Sequence, residues 1–292
     1  TIKLYIKTTR SFHRSPIVFL MFVGLACSPG SYLLEHKPEL AKTSFQYFAM
    51  KSEEKIAKSP NDPTRLLAGC ETLTKFAFAF IMEDADRMAM VDYSAGKVLY
   101  KNAHSTFSKA VIYGDRALKI KYPTYAKWLV EKDGKMPPFN KTDVPYLFWT
   151  AGAYGGAIKS SKGNPEWIIK LPRIGLLLEA ALQVEPTWNK GSINSAMISY
   201  TMIRHDAPLN REEVARKYFK MSIDASHDLD LSPYVTLAES VAIPTQNRNE
   251  FTNLLYKALN IDMKADPDLA LTNQINRNRA QWLMDNIDEF FY

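Results

Sequence analysis

The sequence predicts an all-α protein in which antiparallel helix hairpins stack side by side. Apolar residues recur at the i, i+3, i+4 spacing of helices through most of the chain. Short polar or proline-containing loops separate these periodic segments, and no alternating run bounded by hairpin turns interrupts them. A chain of 292 residues with 46% hydrophobic composition is long enough to bury a substantial core.

The periodic segments begin and end at ordinary helix signals. The turn at 59–63 ends one segment and opens the next, since Asp62 can cap a helix that has Pro63 in its first turn. A surface loop over 131–141 precedes a glycine-rich helix. The predicted helices cover residues 40–58, 63–90, 92–120 (as one helix or two), 143–159, 168–184, 190–204, 211–225, 232–242, 247–260 and 267–291.

A short motif recurs near the ends of three predicted helices. It reads Ala117-Leu118, Ala181-Leu182 and Ala258-Leu259, each followed within a few residues by proline or aspartate. The intervals are about one or two multiples of the roughly 34-residue tetratricopeptide (TPR) period, with slippage. A small alanine lets the second helix of a pair approach its neighbour, and the leucine fills the groove. The motif predicts a TPR-like α-solenoid; the alternative is coincidence among helices rich in alanine and leucine.

Residues 1–27 have the pattern of a secretory signal peptide. Basic residues and no acidic ones precede an apolar run over 17–26, which is shorter than the roughly 20 residues that a membrane-spanning helix needs. Leu25-Ala26-Cys27 resembles the end of a bacterial lipobox, with Gly24 where leucine is usual. We therefore expect export, a lipid on Cys27, a polar linker over 28–39 and a single helical domain over 40–292.

Charge and cysteine content narrow the possible partners. Four of the net +6 charges lie in the signal peptide, so the rest of the chain carries about +2. That balance provides no basic stripe for a nucleic acid, and we expect none as a partner. If Cys27 carries lipid, Cys70 has no disulfide partner within the chain. Apolar neighbours at helical spacing predict that Cys70 is a buried, unreactive thiol.

The sequence contains no motif of catalysis or metal binding. G-x-S-x-G, P-loop and C-x-x-C patterns do not occur, and the five histidines lack metal-ligand spacing. Glu83, Asp84 and Asp86 are close together but lack the glycine and spacing of a calcium loop. These carboxylates are better explained as residues of a helix surface or as partners in an ion pair with Arg87. We expect no enzyme, no catalytic residue, no metal and no cofactor.

The segment 143–159 combines helical spacing with Gly152, Gly155 and Gly156. Each glycine inside a helix costs about 1 kcal/mol relative to alanine, so several together need a reason. One reason is close helix packing, with Gly152 and Gly156 one turn apart on the same face. The other is a ligand cavity walled by bare backbone and aromatic rings.

Aromatic and polar residues on three helices are the best candidates for ligand contacts. They are Tyr146, Trp149 and Tyr154 on the glycine-rich helix, Asn194 and Tyr200 on the helix after Gly191, and Asn273, Arg277 and Trp282 on the last helix. Arg277 could pair with a ligand carboxylate through two hydrogen bonds, or hold the last helix to its neighbour. Trp149 and Trp282 are explained more simply as core residues.

Several short stretches, in order and spacing, resemble one family across roughly residues 45–291. The matching residues are Met82-Glu83-Asp84-Ala85-Asp86-Arg87; Asp143-Val144-Pro145 with Leu147 and Trp149-Thr150-Ala151; Leu177-Leu178-Glu179 with Ala181-Leu182 and Pro186; and Asn273 with Arg277, Arg279-Ala280 and Trp282-Leu283. The chain resembles the TPR-containing T component of tripartite ATP-independent periplasmic (TRAP) transporter systems, a group of bacterial lipoproteins.

The resemblance implies a trimer of TPR-like solenoids with a through-going cavity, anchored by lipid in the periplasm, at the outer membrane. It also implies a periplasmic substrate-binding P component as partner and a small apolar or amphipathic organic anion as ligand. The hypothesis is a non-catalytic accessory protein of solute uptake. The alternative is a helical-repeat scaffold that binds peptides or partner proteins but no small molecule. An exported hydrolase would need a nucleophile–base arrangement that the sequence does not contain.

Overall fold

A computed structural model describes residues 29–131 and 134–292, which fold as helices without a β-strand. This confirms the prediction of an all-α, solenoid-like fold. Two π-helical segments, Ala77–Met82 and Ala238–Ala242, interrupt the α-helices. The α-helices of the described residues are α1 (Pro29–His36), α2 (Pro38–Lys58), α3 (Pro63–Phe76), α4 (Glu83–Val91), α5 (Tyr93–Lys121), α6 (Tyr125–Val130), α7 (Val144–Ser160), α8 (Pro165–Ile168), α9 (Leu171–Val184), α10 (Trp188–Ile203), α11 (Arg211–Ala225), α12 (Ser232–Leu237), α13 (Arg248–Leu259) and α14 (Ala270–Asp285).

Neighbouring helices pack in sequence, and the two ends of the described chain meet. Helix α2 packs on α3, α3 and α7 pack on α5, α9 packs on α7, and α10 packs on α11. One buried cluster extends from Ala49 to Tyr200 and a second from Ile198 to Phe291, so α10 contributes to both. A third, smaller cluster around Leu34 of α1 includes Leu271 of α14. The last α-helix therefore packs against the first.

The alanines of the recurring motif occupy the positions that close helix packing requires. Ala117, Ala181 and Ala258 are fully buried near the C-terminal ends of α5, α9 and α13. Their small side chains allow close contact between helices, as the motif predicts.

Part of the expected polar linker over 28–39 is helical. Residues Pro29–His36 form α1, and α2 begins directly afterwards at Pro38. Leu34 is 7% exposed and belongs to the cluster that joins the first and last helices. The segment is helical because two adjacent leucines, Leu33 and Leu34, pack in the same apolar cluster as Leu271, which lies far away in the sequence.

Two other predicted helices differ from the observed ones, one through a left-handed turn and one by ending early. Asn189, Lys190 and Gly191 have φ values of 45°, 57° and 86°, so the regular part of α10 begins only after this left-handed turn. The predicted helix over 267–291 ends at Asp285, where the Asn286 side chain donates a hydrogen bond to the Trp282 carbonyl. An asparagine amide that bonds its own backbone competes with helix continuation.

Two further expectations from the sequence concern the signal peptide and membrane spans. The signal peptide over 1–27, with Cys27, lies outside the residues that the structure describes. Among the described helices, none combines the length and apolar character needed to cross a bilayer.

Cys70 is a free, buried cysteine. Burial, reinforced by the Asp115 charge, raises the pKa of its thiol to about 12. The predicted burial of Cys70 is confirmed, and a protonated thiol is a poor nucleophile.

Candidate functional site

Gly156 of α7 allows close packing against α5. A Cβ at position 156 would lie 2.3 Å from Cε1 of Phe107, too close for any residue except glycine without a shift of the ring. At Gly152 and Gly155 the nearest atoms would be 3.6 and 3.9 Å away, which is ordinary contact. Packing therefore explains one glycine of the three.

Tyr154 belongs to a buried hydrogen-bond network. Its side chain is 1% exposed, and its hydroxyl donates to Asp115 Oδ2 at 2.7 Å and accepts from Arg173 at 2.9 Å. Tyr125 donates to the other oxygen of the same carboxylate at 2.8 Å. Burial and the Asp115 charge raise the pKa of both tyrosines above the ordinary value, so both stay neutral donors.

The other two aromatic candidates on α7 lie beside lysine side chains. Tyr146 is buried, and Lys121 Nζ lies 4.7 Å from the centre of its ring. Trp149 is half-buried, and Lys75 Nζ of α3 lies 4.8 Å from its ring. These distances are typical of cation–π contacts.

The two candidates on α10 are enclosed by protein. Asn194 is 1% exposed and donates to the Pro186 carbonyl at 2.9 Å, while its side-chain oxygen has no hydrogen-bond partner among the described residues. Tyr200 is buried against Gly175, where a Cβ would lie 2.2 Å from the tyrosine hydroxyl. This contact is close packing between α9 and α10.

Two of the candidates on α14 differ in burial: Asn273 is buried, and Arg277 is half-buried. The buried Asn273 side chain accepts from the Leu231 N–H at 3.0 Å and donates to the Leu229 carbonyl at 2.8 Å, which ties α14 to the start of α12. Arg277 is half-buried and forms no hydrogen bond or ion pair with the described residues. Arg277 is thus the predicted residue with an uncommitted charge.

Arg279 of α14 is the centre of a charged cluster that the sequence analysis did not assemble. Its guanidinium nitrogens lie 3.2 Å from Glu83 Oε1, 3.0 Å from Asp86 Oδ2 and 2.6 Å from Glu239 Oε1. Nη1 is within ion-pair distance of Glu83 but is not aligned for a hydrogen bond. The Arg279 side chain is 11% exposed, so this ion-pair cluster is largely shielded from water.

The two π-helical segments bring carboxylates to Arg279. Glu83 directly follows Ala77–Met82, and Glu239 lies within Ala238–Ala242. Burial raises the pKa of Glu83, although the Arg279 and Arg87 charges oppose the rise. The ion pair expected from the sequence, Arg87 with Glu83, is present at 3.3 Å as an additional contact.

Trp282 covers this cluster. Its half-buried ring lies 4.5 Å from the Arg279 guanidinium carbon and 5.3 Å from that of Arg87. The Tyr100 hydroxyl donates a hydrogen bond to Asp86 Oδ1 at 2.6 Å. In the parts of the chain that the structure describes, no group of three or more His, Cys, Asp or Glu side chains is arranged to hold a metal ion.

A groove of about 390 Å³ lies between α2 and α3, within the size range of small-molecule sites. We call it the α2–α3 groove. Its lining residues are Phe45, Phe48, Lys51, Ser52 and Lys55 of α2, Arg65, Ala68, Glu71, Thr72 and Lys75 of α3, and Leu271 of α14. Aromatic and aliphatic side chains are thus combined with four cations and one carboxylate.

A second groove, of about 440 Å³, runs along the other side of α2. It is lined by Thr43, Gln46, Tyr47, Ala49, Met50, Glu53, Leu73, Phe76, Thr106 and Lys109. Lys109 Nζ lies 3.0 Å from Glu53 Oε1, so the two charges on its wall neutralise each other.

The eight predicted ligand residues line neither groove. They lie on three helices, and ligand contact by any of them stays a prediction. The link to the α2–α3 groove is indirect, through Lys75, which lines it and packs on Trp149. The sequence did contain a signal for this groove, since Phe45 and Phe48 are followed at helical spacing by Lys51 and Lys55.

Comparison with known proteins gives a family match and a distant relative. The family model described as TRAP transporter T-component matches residues 35–291, from the end of α1 to the last buried phenylalanine. A relative described as an uncharacterized protein of Treponema pallidum (strain Nichols) is 22% identical over 223 residues, which covers 74% of this chain and 68% of that protein. The family match extends over nearly all of the described helices. The chain therefore belongs to the TRAP transporter T-component family.

Proposed function

We propose that this chain is a non-catalytic accessory protein of TRAP-type solute uptake. In this role it docks the periplasmic substrate-binding P component and holds a small apolar or amphipathic organic anion. The observation that supports the proposal most strongly is the family match over residues 35–291, since that family is an accessory component of TRAP transport. The groove beside α2, with apolar walls and several cations, supports the ligand-holding part.

We further propose a periplasmic location, with Cys27 as the point of lipid attachment and the outer membrane as the anchoring site. Membership of a TRAP T-component family supports a periplasmic or membrane-associated protein. The signal-peptide pattern before Cys27 supports export. Assembly as a trimer belongs to the same proposal and rests on the family resemblance.

Sedimentation velocity of the full chain mixed with its cognate P component tests the docking role. We expect a faster-sedimenting boundary that contains both proteins. A substrate-binding protein from an ATP-driven transporter serves as the control and should sediment separately. If the cognate P component also sediments separately at concentrations of tens of micromolar, which is about −6 to −7 kcal/mol of binding free energy, the docking role is wrong.

The alternative function is a helical-repeat scaffold that binds peptides or partner proteins and no small molecule. The observation that favours it is the set of exposed apolar side chains on α2, which are Leu40, Tyr47, Phe48 and Met50. Such side chains suit the face of a partner helix as well as a ligand. The two functions differ in whether the purified chain carries a bound small molecule.

A further inference from the structure

We propose that the α2–α3 groove binds a small amphipathic carboxylate, with its apolar chain on Phe45, Phe48 and Leu271 and its carboxylate at Lys55. The inference rests on the proposed function, because it assigns the ligand of that function to one site. It goes further in naming the groove, the chemical class of ligand and the side chain that selects it.

The apolar part of the groove is accessible to a ligand. Phe48 is 59% exposed, and Phe45 is half-buried on the same side of α2. Ala68 on the facing helix α3 is also exposed, and its methyl group leaves that position of the wall open. Leu271 of α14 adds an aliphatic side chain. Water removed from these surfaces by an alkyl chain gives a favourable contribution that grows with the apolar area covered.

The charge of the groove identifies the ligand's head group. Four cations and one carboxylate line it, so its own side chains carry a net positive charge. Three of these cations already have carboxylate partners: Lys51 with Glu54 at 2.7 Å, Arg65 with Asp62 at 3.3 Å, and Lys75 with Glu71 at 2.5 Å. The Lys55 ammonium has no ion pair with the residues that the structure describes. Lys55 is therefore the cation left to meet a ligand carboxylate.

The second groove provides an internal comparison. It is similar in size and also has apolar walls, with Tyr47 and Met50 on α2. Its lysine, however, is paired with Glu53, so no cation remains to attract an anion. An amphipathic carboxylate should therefore prefer the α2–α3 groove.

Isothermal titration of the full chain with decanoate tests the proposal, with decanol and decylamine as neutral and cationic comparators. We expect saturable binding of one decanoate per chain and weaker binding of both comparators. Ala68→Phe fills the groove and should weaken decanoate binding by about tenfold or more. Ala57→Phe is the matched control, because Ala57 is exposed on α2 and lines neither groove. It should bind like the wild type.

Charge and ring variants locate the two ends of the ligand. Lys55→Glu should weaken decanoate binding about fivefold, the value for loss of an exposed ion pair, while Lys58→Glu on the same helix should not change it. Phe48→Ala should weaken binding, and Met50→Ala, which alters the second groove, should not. All of these positions are exposed, so circular dichroism should show unchanged helix content.

Three results would overturn the proposal. They are no decanoate binding by the wild type, equal binding by Ala68→Phe and the wild type, and a larger loss from Met50→Ala than from Phe48→Ala. Equal affinity for decanol would remove the role of Lys55. These titrations contain no P component, so a failed docking experiment leaves them interpretable. Conversely, docking without decanoate binding would overturn the groove assignment alone.

Discussion

Replacing Arg279 with methionine should strongly destabilise the protein. The substitution keeps an apolar stem but removes the charge that lies within 3.2 Å of Glu83, Asp86 and Glu239. Removing one member of a buried ion-pair group costs about 3–5 kcal/mol, because the remaining charges lose their compensation. The three carboxylate side chains are 15–27% exposed, so water relieves part of that cost. We expect a loss of about 3 kcal/mol at neutral pH.

The loss should depend on pH in a defined direction. Burial already raises the native-state pKa of Glu83 above its ordinary value, and without Arg279, whose charge opposes the rise, that pKa should be higher still. Between the ordinary and the raised pKa, the native state binds more protons than the unfolded state, so stability falls as the pH rises through that window. The loss of unfolding free energy relative to the wild type should therefore be small near the ordinary Glu pKa of 4.5 and grow toward neutral pH.

Urea unfolding followed by circular dichroism at several pH values measures this deficit. Arg277→Met is the matched control, since Arg277 lies on the same helix, is half-buried and makes no ion pair with the described residues. Its loss should stay within about 0.5 kcal/mol at every pH. If the two variants lose the same stability, or if the Arg279 deficit does not change with pH, the Arg279 cluster does not hold α14 to α4.

Two further predictions concern packing and acid stability. Gly156→Ala should cost about 1–3 kcal/mol, because its methyl group would collide with the Phe107 ring, whereas Gly152→Ala should be neutral or stabilising by up to about 1 kcal/mol in thermal melts. Burial acts to raise the pKa of Asp143, but hydrogen bonds, with that from Tyr122 the largest, hold it below 3.8. This contribution to stability is present above 3.8 and lost as the pH falls through the lowered pKa. Asp143→Asn should therefore reduce stability at neutral pH by about 1–3 kcal/mol, and the difference from wild type should shrink in strong acid.

Local sequence patterns predicted most of the helices and the need for a glycine on α7. Helical spacing depends on near neighbours, so it identifies α5 or α13 without knowledge of the rest of the fold. The cost of glycine inside a helix pointed to close packing at Gly152 and Gly156 alike, and only the packed structure shows that Gly156 is the one against a neighbouring ring. The left-handed turn at Asn189, Lys190 and Gly191 left a weaker signal, because asparagine and glycine tolerate that conformation without requiring it.

Contacts between distant segments could not be predicted in the same way. Glu239 and Arg279 are forty residues apart on different elements, and their pairing depends on how α12 and α14 cross.

The α2–α3 groove could not be predicted for a different reason. Spacing shows that α2 has apolar residues, but only the packed structure shows that Phe48 is left uncovered while Ala49 is buried. Which apolar residue is buried depends on the helices available to cover it.

Native mass spectrometry of the full chain purified from its own host tests the ligand-holding role most directly. The wild-type protein should carry one small amphipathic carboxylate per chain, Ala57→Phe should retain it, and Ala68→Phe should lack it. A wild-type protein without any small molecule, or a ligand retained equally by Ala68→Phe, would contradict a carrier role for the α2–α3 groove.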